Sequence, residues 1–437
     1  MKTQAVKGFF AAAAAVVLAV TPLAGRSVTI DVTKFQQRYP WNGLVDIDYT
    51  ITRSDGEATL DPAKHFVEIS VVNCAVTPAT TNVAHIFRQQ TLPVSDGAHR
   101  VTWDANAERV NFKSQSVKVF AEIVHYAEKY MVIDVSTGSG DDAVYEVTYL
   151  NGVPEGGFNK EEYKGDKIVL RLIPPGSFVM GSPTTETGHD PDQDGREVQH
   201  AVAITRPFYI GVFEITQKQY KNVMNNADPS KYKGDCRPVE QVTYDDIRGT
   251  EEGAKWPQTN SVDATSFIGR LRAKCREKNP STGEWEPVSG LFDLPTDAQW
   301  EYACRAGTTT PLNDGGVCAN MNELMAHFNN LGLYDGNSNK SSANVGTRAS
   351  NAWGLYDMHG NVWEWCLDWY QADVQNIKNP SLDPVGPSAG ADPGPNRVMR
   401  GGSFLNEARH GRSAYRFSAL PSTQLHVFGF RLSSSLP

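Results

Sequence analysis

The sequence predicts an α+β chain with little regular secondary structure, in which an all-β, sandwich-like domain precedes a mixed, loop-rich one. Three observations carry this. Short runs that alternate apolar and polar side chains recur from Val28 to about Leu150, separated by turn-rich pieces. Beyond that point helical periodicity surfaces at only a few places. The composition, with 37 Gly, 25 Pro, 9 Trp and 16 Tyr, favours loops over helices. At 437 residues, two domains are the reasonable expectation.

The first residues read as a targeting segment. Lys2 and Lys7 make a positive start, Phe9 to Val20 is an apolar core, and the small residues Ala24 and Gly25 follow. The run is too short to span a bilayer comfortably, and no later stretch is long or apolar enough to be transmembrane. The expectation is a signal peptide over 1–25, cleaved near Ala24 to Arg26, and a secreted or periplasmic protein. The net charge of −9 argues against nucleic acid or an anionic membrane as partner. All six cysteines lie after the cut, with no CxxC pair, so a zinc ribbon or thioredoxin motif is excluded. An oxidising compartment permits disulfides, but six cysteines in so long a chain are no disulfide framework.

Taken in order, the elements are these. Val45, Ile47, Tyr49 and Ile51 alternate with polar residues, and so do Phe66, Val67, Ile69 and Val71, less strictly. Val117, Val119, Ala121 and Ile123 repeat the pattern, and Val144, Tyr145, Val147 and Tyr149 end it. The expected β domain is therefore 27–150, a binding or spacer module. Residues 151–165, rich in Gly, Asn and Glu, read as a linker, and the second domain as 166–437. Ile168, Leu170 and Leu172 open it as a strand, and SFVMGS (177–182) follows as another. The acidic loop Asp190 to Gly195 resembles half a calcium loop but lacks the closing Glu, so it reads as solvated. Strands follow over Ala201 to Thr216, and Thr216 caps a helix over Gln217 to Met224. A second helix is expected over Ser266 to Lys274. A third starts at Thr296, where Gln299 completes a capping box, and ends at Gly307. Thr308 to Ser350 reads as polar loop. Arg397 to Phe417 and Phe428 to Ser433 read as short strands around a Gly-Gly turn, dense in arginine.

The stretch GLYDMHGNVWEWCLDW, Gly354 to Trp369, is the organising one. It turns at His359-Gly360-Asn361 and enters a strand in which Trp363, Trp365 and Trp369 alternate with polar residues. Asp357 and Glu364 carry hard oxygen donors. By spacing they either hold calcium with nearby carbonyls, or cap turns and pair with arginines.

Several motifs together resemble the formylglycine-generating enzyme, or sulfatase-modifying factor, family. They are GSFVMGS, PFYIGVFEIT, RPVEQVTYDD, LPTDAQWEYACRAG, GLYDMHGNVWEW, RVMRGGSF, RSAYR and FGFRLS, in the family's order over about 166–433. The resemblance implies a variant of the C-type-lectin fold with structural calcium. Carried over, the calcium ligands are the side chains of Asp357 and Glu364 and the carbonyls of Gly360 and Val362. It also implies a copper(I) site of two cysteines after the GGS turn, where oxygen is activated to convert a sulfatase cysteine to formylglycine. The corresponding positions here are Asn406 and Gly411, and neither is a thiolate, the soft ligand that copper(I) selects.

Two readings follow. One is a calcium-braced, non-catalytic binding or scaffold module without copper, whose groove residues Trp363, Ser403, Arg409 and Arg412 take a protein, peptide or glycan ligand. The other is an oxidase, either formylglycine-generating with unusual ligands and a sulfatase partner, or another oxygen-dependent enzyme of the family. His327, His359, His410 and His426 show no ligand spacing and read as structural.

Overall fold

In the computed structural model the described residues are 19–23, 26–37, 44–53, 65–73, 83–86, 97–104, 117–125, 129–140, 142–190, 195–204, 206–279, 282–288, 290–372, 374, 381–388 and 395–435. Most of the expected signal peptide and the middle of the acidic 190–195 loop lie outside them. The part of the signal region that is described, Ala19–Leu23, pairs antiparallel with Arg26–Ile30. The chain divides into two compact units, Met1–Tyr126 and Ala127–Pro437. Among the described residues no helix is long and apolar enough to cross a membrane.

The first unit is all-β. One sheet runs Ala19–Leu23, Arg26–Gln37, Leu44–Arg53, Gly97–Asp104; the other runs Val83–Ile86, His65–Asn73, Val117–His125. The alternation works as expected on Leu44–Arg53. Val45, Ile47, Tyr49 and Ile51 are buried, while Asp46 and Asp48 meet Thr102 and Arg100 of the neighbouring strand on the other face.

The boundary differs from the expected one. Tyr145–Leu150, expected to close the first domain, belongs to the second unit. It pairs with Tyr130–Asp134 and with Cys275–Lys278 inside an eight-stranded sheet. These strands are covered on both faces. Met131 and Ile133 enter the main core, whereas Tyr130 and Val132 pack with Phe158, Tyr163 and Phe213. The expected linker is likewise packed structure. Phe158 lies 4.6 Å from Tyr130 and edge-on to Tyr163 at 5.2 Å, and Glu161–Gly165 forms helix α1. Two aromatic rings among many polar residues leave no periodicity to read, yet they suffice to anchor the segment.

In the second unit the helices rest on their caps. Gln217–Val223 (α2), Tyr244–Arg248 (α3) and Asp297–Arg305 (α5) each start from a capping box, Thr216 with Gln219, Thr243 with Asp246 and Thr296 with Gln299. Phe267–Lys274 (α4) is capped by Ser266, and α5 ends as Ala306 and Gly307 take positive φ. Met321–Leu331 (α6) falls in the stretch expected to be loop. Asn320 caps it, and Leu324, Phe328 and Leu331 bury one face at i, i+4, i+7. Trp363–Trp369 is a strand, as expected, in a four-stranded sheet with Arg397–Arg400, Phe417–Ala419 and Phe428–Gly429. The fold is the mixed one of few helices and small curled sheets that the sequence predicts.

Candidate functional site

The site grows from the strand Arg397–Arg400, which runs antiparallel to Trp363–Trp369 and ends in the Gly401-Gly402 turn. Gly401 and Gly402 take φ of +93° and +77°. A Cβ on Gly402 would lie 2.9 Å from the Gly411 Cα, so the turn lies backbone to backbone against residue 411. Gly360 N–H donates to Gly401 O and Phe404 N–H to Asn361 O, tying this turn to the GLYDMHGNVWEW loop.

The two expected copper positions are both occupied by structure. Asn406 Oδ1 accepts from Trp363 Nε1 at 2.8 Å and from Ser403 Oγ. At Gly411 a Cβ would stand 2.5 Å from Cζ and 2.6 Å from Cε2 of Phe328 in α6. The Gly411 carbonyl accepts from His359 Nδ1, and His359 Nε2 accepts from the Asn313 N–H. Burial pushes the His359 pKa down to about 4, so this histidine is a neutral cross-brace and no ligand.

Of the expected groove residues, Trp363 and Ser403 are buried and meet at Asn406, and Arg412 does not join them. Arg412 is fully buried, paired with Glu197 at 3.0 Å and with Glu186 at 2.5 Å, and is unavailable to an anionic ligand. Arg409 is part-exposed and pairs with Glu407. The other arginines of the C-terminal stretch are also interior pins. Arg400 binds Asp297 and Glu301, Arg416 binds Asp297, and Arg431 binds Glu364.

Trp363 packs against Phe417 at 5.0 Å, and a separate set of ring contacts joins Phe404, His426 and Tyr232. His410 stands edge-on to Tyr415 at 4.9 Å, and its Nδ1 is buried with no hydrogen-bond partner.

The expected calcium ligands lie in a buried acidic nest. Asp357, at φ +57°, accepts from Gly346 N–H at 2.7 Å. Both Glu364 oxygens accept from Arg431 at 2.6 Å, and one also accepts from Trp300 Nε1. Sequence reasoning missed Glu214, whose oxygens accept from Asn361 Nδ2 and Val362 N–H. Its signal was there: one carboxylate in the apolar run FYIGVFEI. Burial, then Asp357 and Glu364, push the Glu214 pKa well above the ordinary value. Burial, with Glu364 adding, pushes Asp357 up to about 6. Three carboxylates thus face two cations, Arg431 and Lys164. The surplus negative charge and hard oxygens fit a cation such as calcium, with Glu364 shared between it and Arg431. Among the described residues no three or more His, Cys, Asp or Glu are placed around one metal ion. The expected set needs only two carboxylates beside two carbonyls.

Among described residues Cys236, Cys275, Cys304, Cys318 and Cys366 are free thiols. Burial raises the pKa of each, strongly for Cys275, Cys304 and Cys366, and the four other than half-buried Cys236 are inert interior groups.

Comparison with known proteins agrees with this architecture. The chain is 34% identical over 185 residues to the chaperone protein LppX of Paenibacillus barcinonensis, a match over 37% of this chain and 62% of that one. It is 28% identical over 297 residues to the formylglycine-generating enzyme of Streptomyces coelicolor, covering 60% of this chain and 88% of that one. It is 24% identical over 302 residues to the inactive Cα-formylglycine-generating enzyme 2 of Bos taurus, covering 62% and 89%. Relatives thus include both active and inactive proteins. Residues 157–436 match the Sulfatase-modifying factor enzyme 1-like domain, and the chain belongs to that family.

Proposed function

We propose that this chain is an exported, non-catalytic member of its family that binds a protein or peptide ligand over Phe417 and Asn406, above the buried Trp363. The observation that carries the reading is Gly411. Phe328 fills the space its side chain would need, and Asn406 is already held by Trp363 and Ser403. A pair of soft ligands has no seat there. Exposed apolar groups recur along residues 405–425: Leu405 (36% exposed), Phe417 (39%), Leu420 (48%) and Leu425 (44%), the kind of side chain that contact surfaces use. With Arg412 committed to carboxylates, an apolar peptide suits the surface better than an anionic glycan. Calcium in the acidic nest braces the loop that carries Trp363.

The test is a sulfatase-motif peptide incubated with the protein, copper(I), oxygen and a thiol reductant, read by mass spectrometry. No aldehyde is expected; aldehyde above a no-protein control refutes the non-catalytic reading. Panning a peptide display library should enrich binders that Phe417→Asp with Leu420→Asp abolishes. Absence of enrichment, or indifference to those changes, refutes the surface.

A further inference from the structure

A cavity of about 250 Å³ opens at the other end of the Trp363–Trp369 strand, between the carboxylate-bearing side of α5 and the 384–387 segment. Asp368 lies five residues from Trp363, roughly 16 Å along an extended strand, so this cavity is separate from the peptide surface. Its chemistry turns on which of the lining carboxylates lacks an arginine partner. Asp297 is paired with Arg400 and Arg416, Glu301 with Arg305 and Arg400, and Glu197 with Arg412. Asp368 is 3% exposed and is held by a single backbone N–H, that of Asp297, on Oδ2. Its other oxygen, Oδ1, has no hydrogen-bond donor among the described residues and lies beside Gly386. A Cβ on Gly386 would stand 3.0 Å from Oδ1, and Gly386 lines the cavity at φ +75°.

A histidine lies on the same lining, His200, whose Nδ1 donates to the Val198 carbonyl at 2.8 Å. The remaining lining is apolar at Met180, Val374, Val385 and Pro387 and also carries two cations, Arg196 and Arg416, the latter held by Asp297. Among the described residues neither is ion-paired with Asp368, so the carboxylate oxygen still lacks a positively charged donor.

We propose that this cavity is a binding site for a small organic ammonium compound, its ammonium on Asp368 Oδ1 and its carbon skeleton on the apolar wall. Burial and the neighbouring Asp297 carboxylate push the Asp368 pKa up to about 7, while Arg416 and Arg397 pull it down. An ammonium ligand favours the ionised form, so binding at neutral pH releases protons. The carboxylates paired with arginine offer no such gain.

Three probes with one skeleton and charges of +1, 0 and −1 decide the matter: benzylamine, benzyl alcohol and benzoate. Each is titrated into the full-length protein at pH 7.5 and followed by calorimetry. Benzylamine should bind at least about tenfold more tightly than the other two, the size of one charge-assisted contact. Asp368→Asn, which keeps the oxygen that accepts from Asp297, should weaken benzylamine about tenfold and leave benzyl alcohol unchanged. Val385→Trp, a change at the exposed rim that does not touch the carboxylates, should block benzylamine and so tests the site should Asp368→Asn misfold. Preference for benzoate would assign the cavity to Arg196 and overturn the proposal. Benzylamine binding that survives Asp368→Asn or Val385→Trp, or that is absent at 10 mM by order of magnitude, would overturn it too.

Discussion

Replacing Gly411 by alanine isolates the feature on which the non-catalytic reading rests. The new Cβ would stand 2.5 Å from Cζ and 2.6 Å from Cε2 of Phe328, and 3.1 Å from the Gly401 carbonyl oxygen. Carbon atoms rest at about 3.5–4.0 Å, so the overlap is about 1 Å. Phe328 has little room to retreat, with Tyr334 at 5.0 Å, His359 at 5.9 Å and 1% of its surface exposed. Gly411 is absent from the positive-φ glycines, so the cost is steric and not backbone strain. Overpacking of this kind costs about 1–3 kcal/mol. Urea unfolding measures it. Phe328→Leu creates its own cavity cost, but the double variant should be more stable than the sum of the singles by about 1 kcal/mol or more, because the two changes share one volume. The same logic governs copper. Asn406→Cys with Gly411→Cys should gain no tight copper(I) site, and adding Phe328→Ala should allow one. If Gly411→Ala lies within about 0.5 kcal/mol of the parent protein, or the two-cysteine variant binds copper tightly by itself, the space argument is wrong.

Four further expectations concern calcium, the Arg431 pair, pH and export. Asp357→Ala and Glu364→Ala should each abolish a calcium-dependent rise in melting temperature, worth about 2.7 kcal/mol at a hundredfold excess over Kd; a melting temperature indifferent to chelator excludes the site. Glu364→Ala should cost more than Asp357→Ala even in chelator, about 3–5 kcal/mol, because it strands Arg431 in the interior. Asp368 has a folded pKa of about 7 against an ordinary 3.8, so its contribution to stability is full below about pH 4 and is lost as pH rises through 7. Asp368→Asn should flatten that part of the stability–pH curve, and an unchanged slope would show that other groups set it. Finally, N-terminal sequencing of protein recovered outside the cytoplasm should find cleavage near Ala24; intact Met1 in the cytoplasm refutes export.

What the sequence made legible depended on how local each signal was. Thr216, Thr296 and Ser266 cap their helices through bonds to residues three positions on, and short-range patterns of that kind are readable. The α6 helix was masked because its polar face dominates the composition of 308–350, although Leu324, Phe328 and Leu331 keep helical spacing. The domain boundary was misplaced because Tyr145–Leu150 alternates equally well in either domain. Only its parallel pairing with Cys275–Lys278, more than a hundred residues away, decides its membership.

The arginines show the same limit from the side of function. Dense arginine near a groove reads as a surface for anions, yet Arg400, Arg412 and Arg431 are fully buried, each clamped by carboxylates from distant segments. Asp297, Glu301, Glu197 and Glu364 are spread over more than 160 positions of sequence, and nothing local announces those pairs. The consequence is chemical. An interior so completely paired leaves few charges to act on a ligand, and those left over are informative because they are few. Asp368 is held by a lone N–H, and Glu214 exceeds its share of cations. Asp368 does not stand out by residue type or spacing, and Glu214 does so only as the lone carboxylate of an apolar run. What each one lacks is seen only by asking which buried carboxylate has no arginine of its own, a question the folded chain answers.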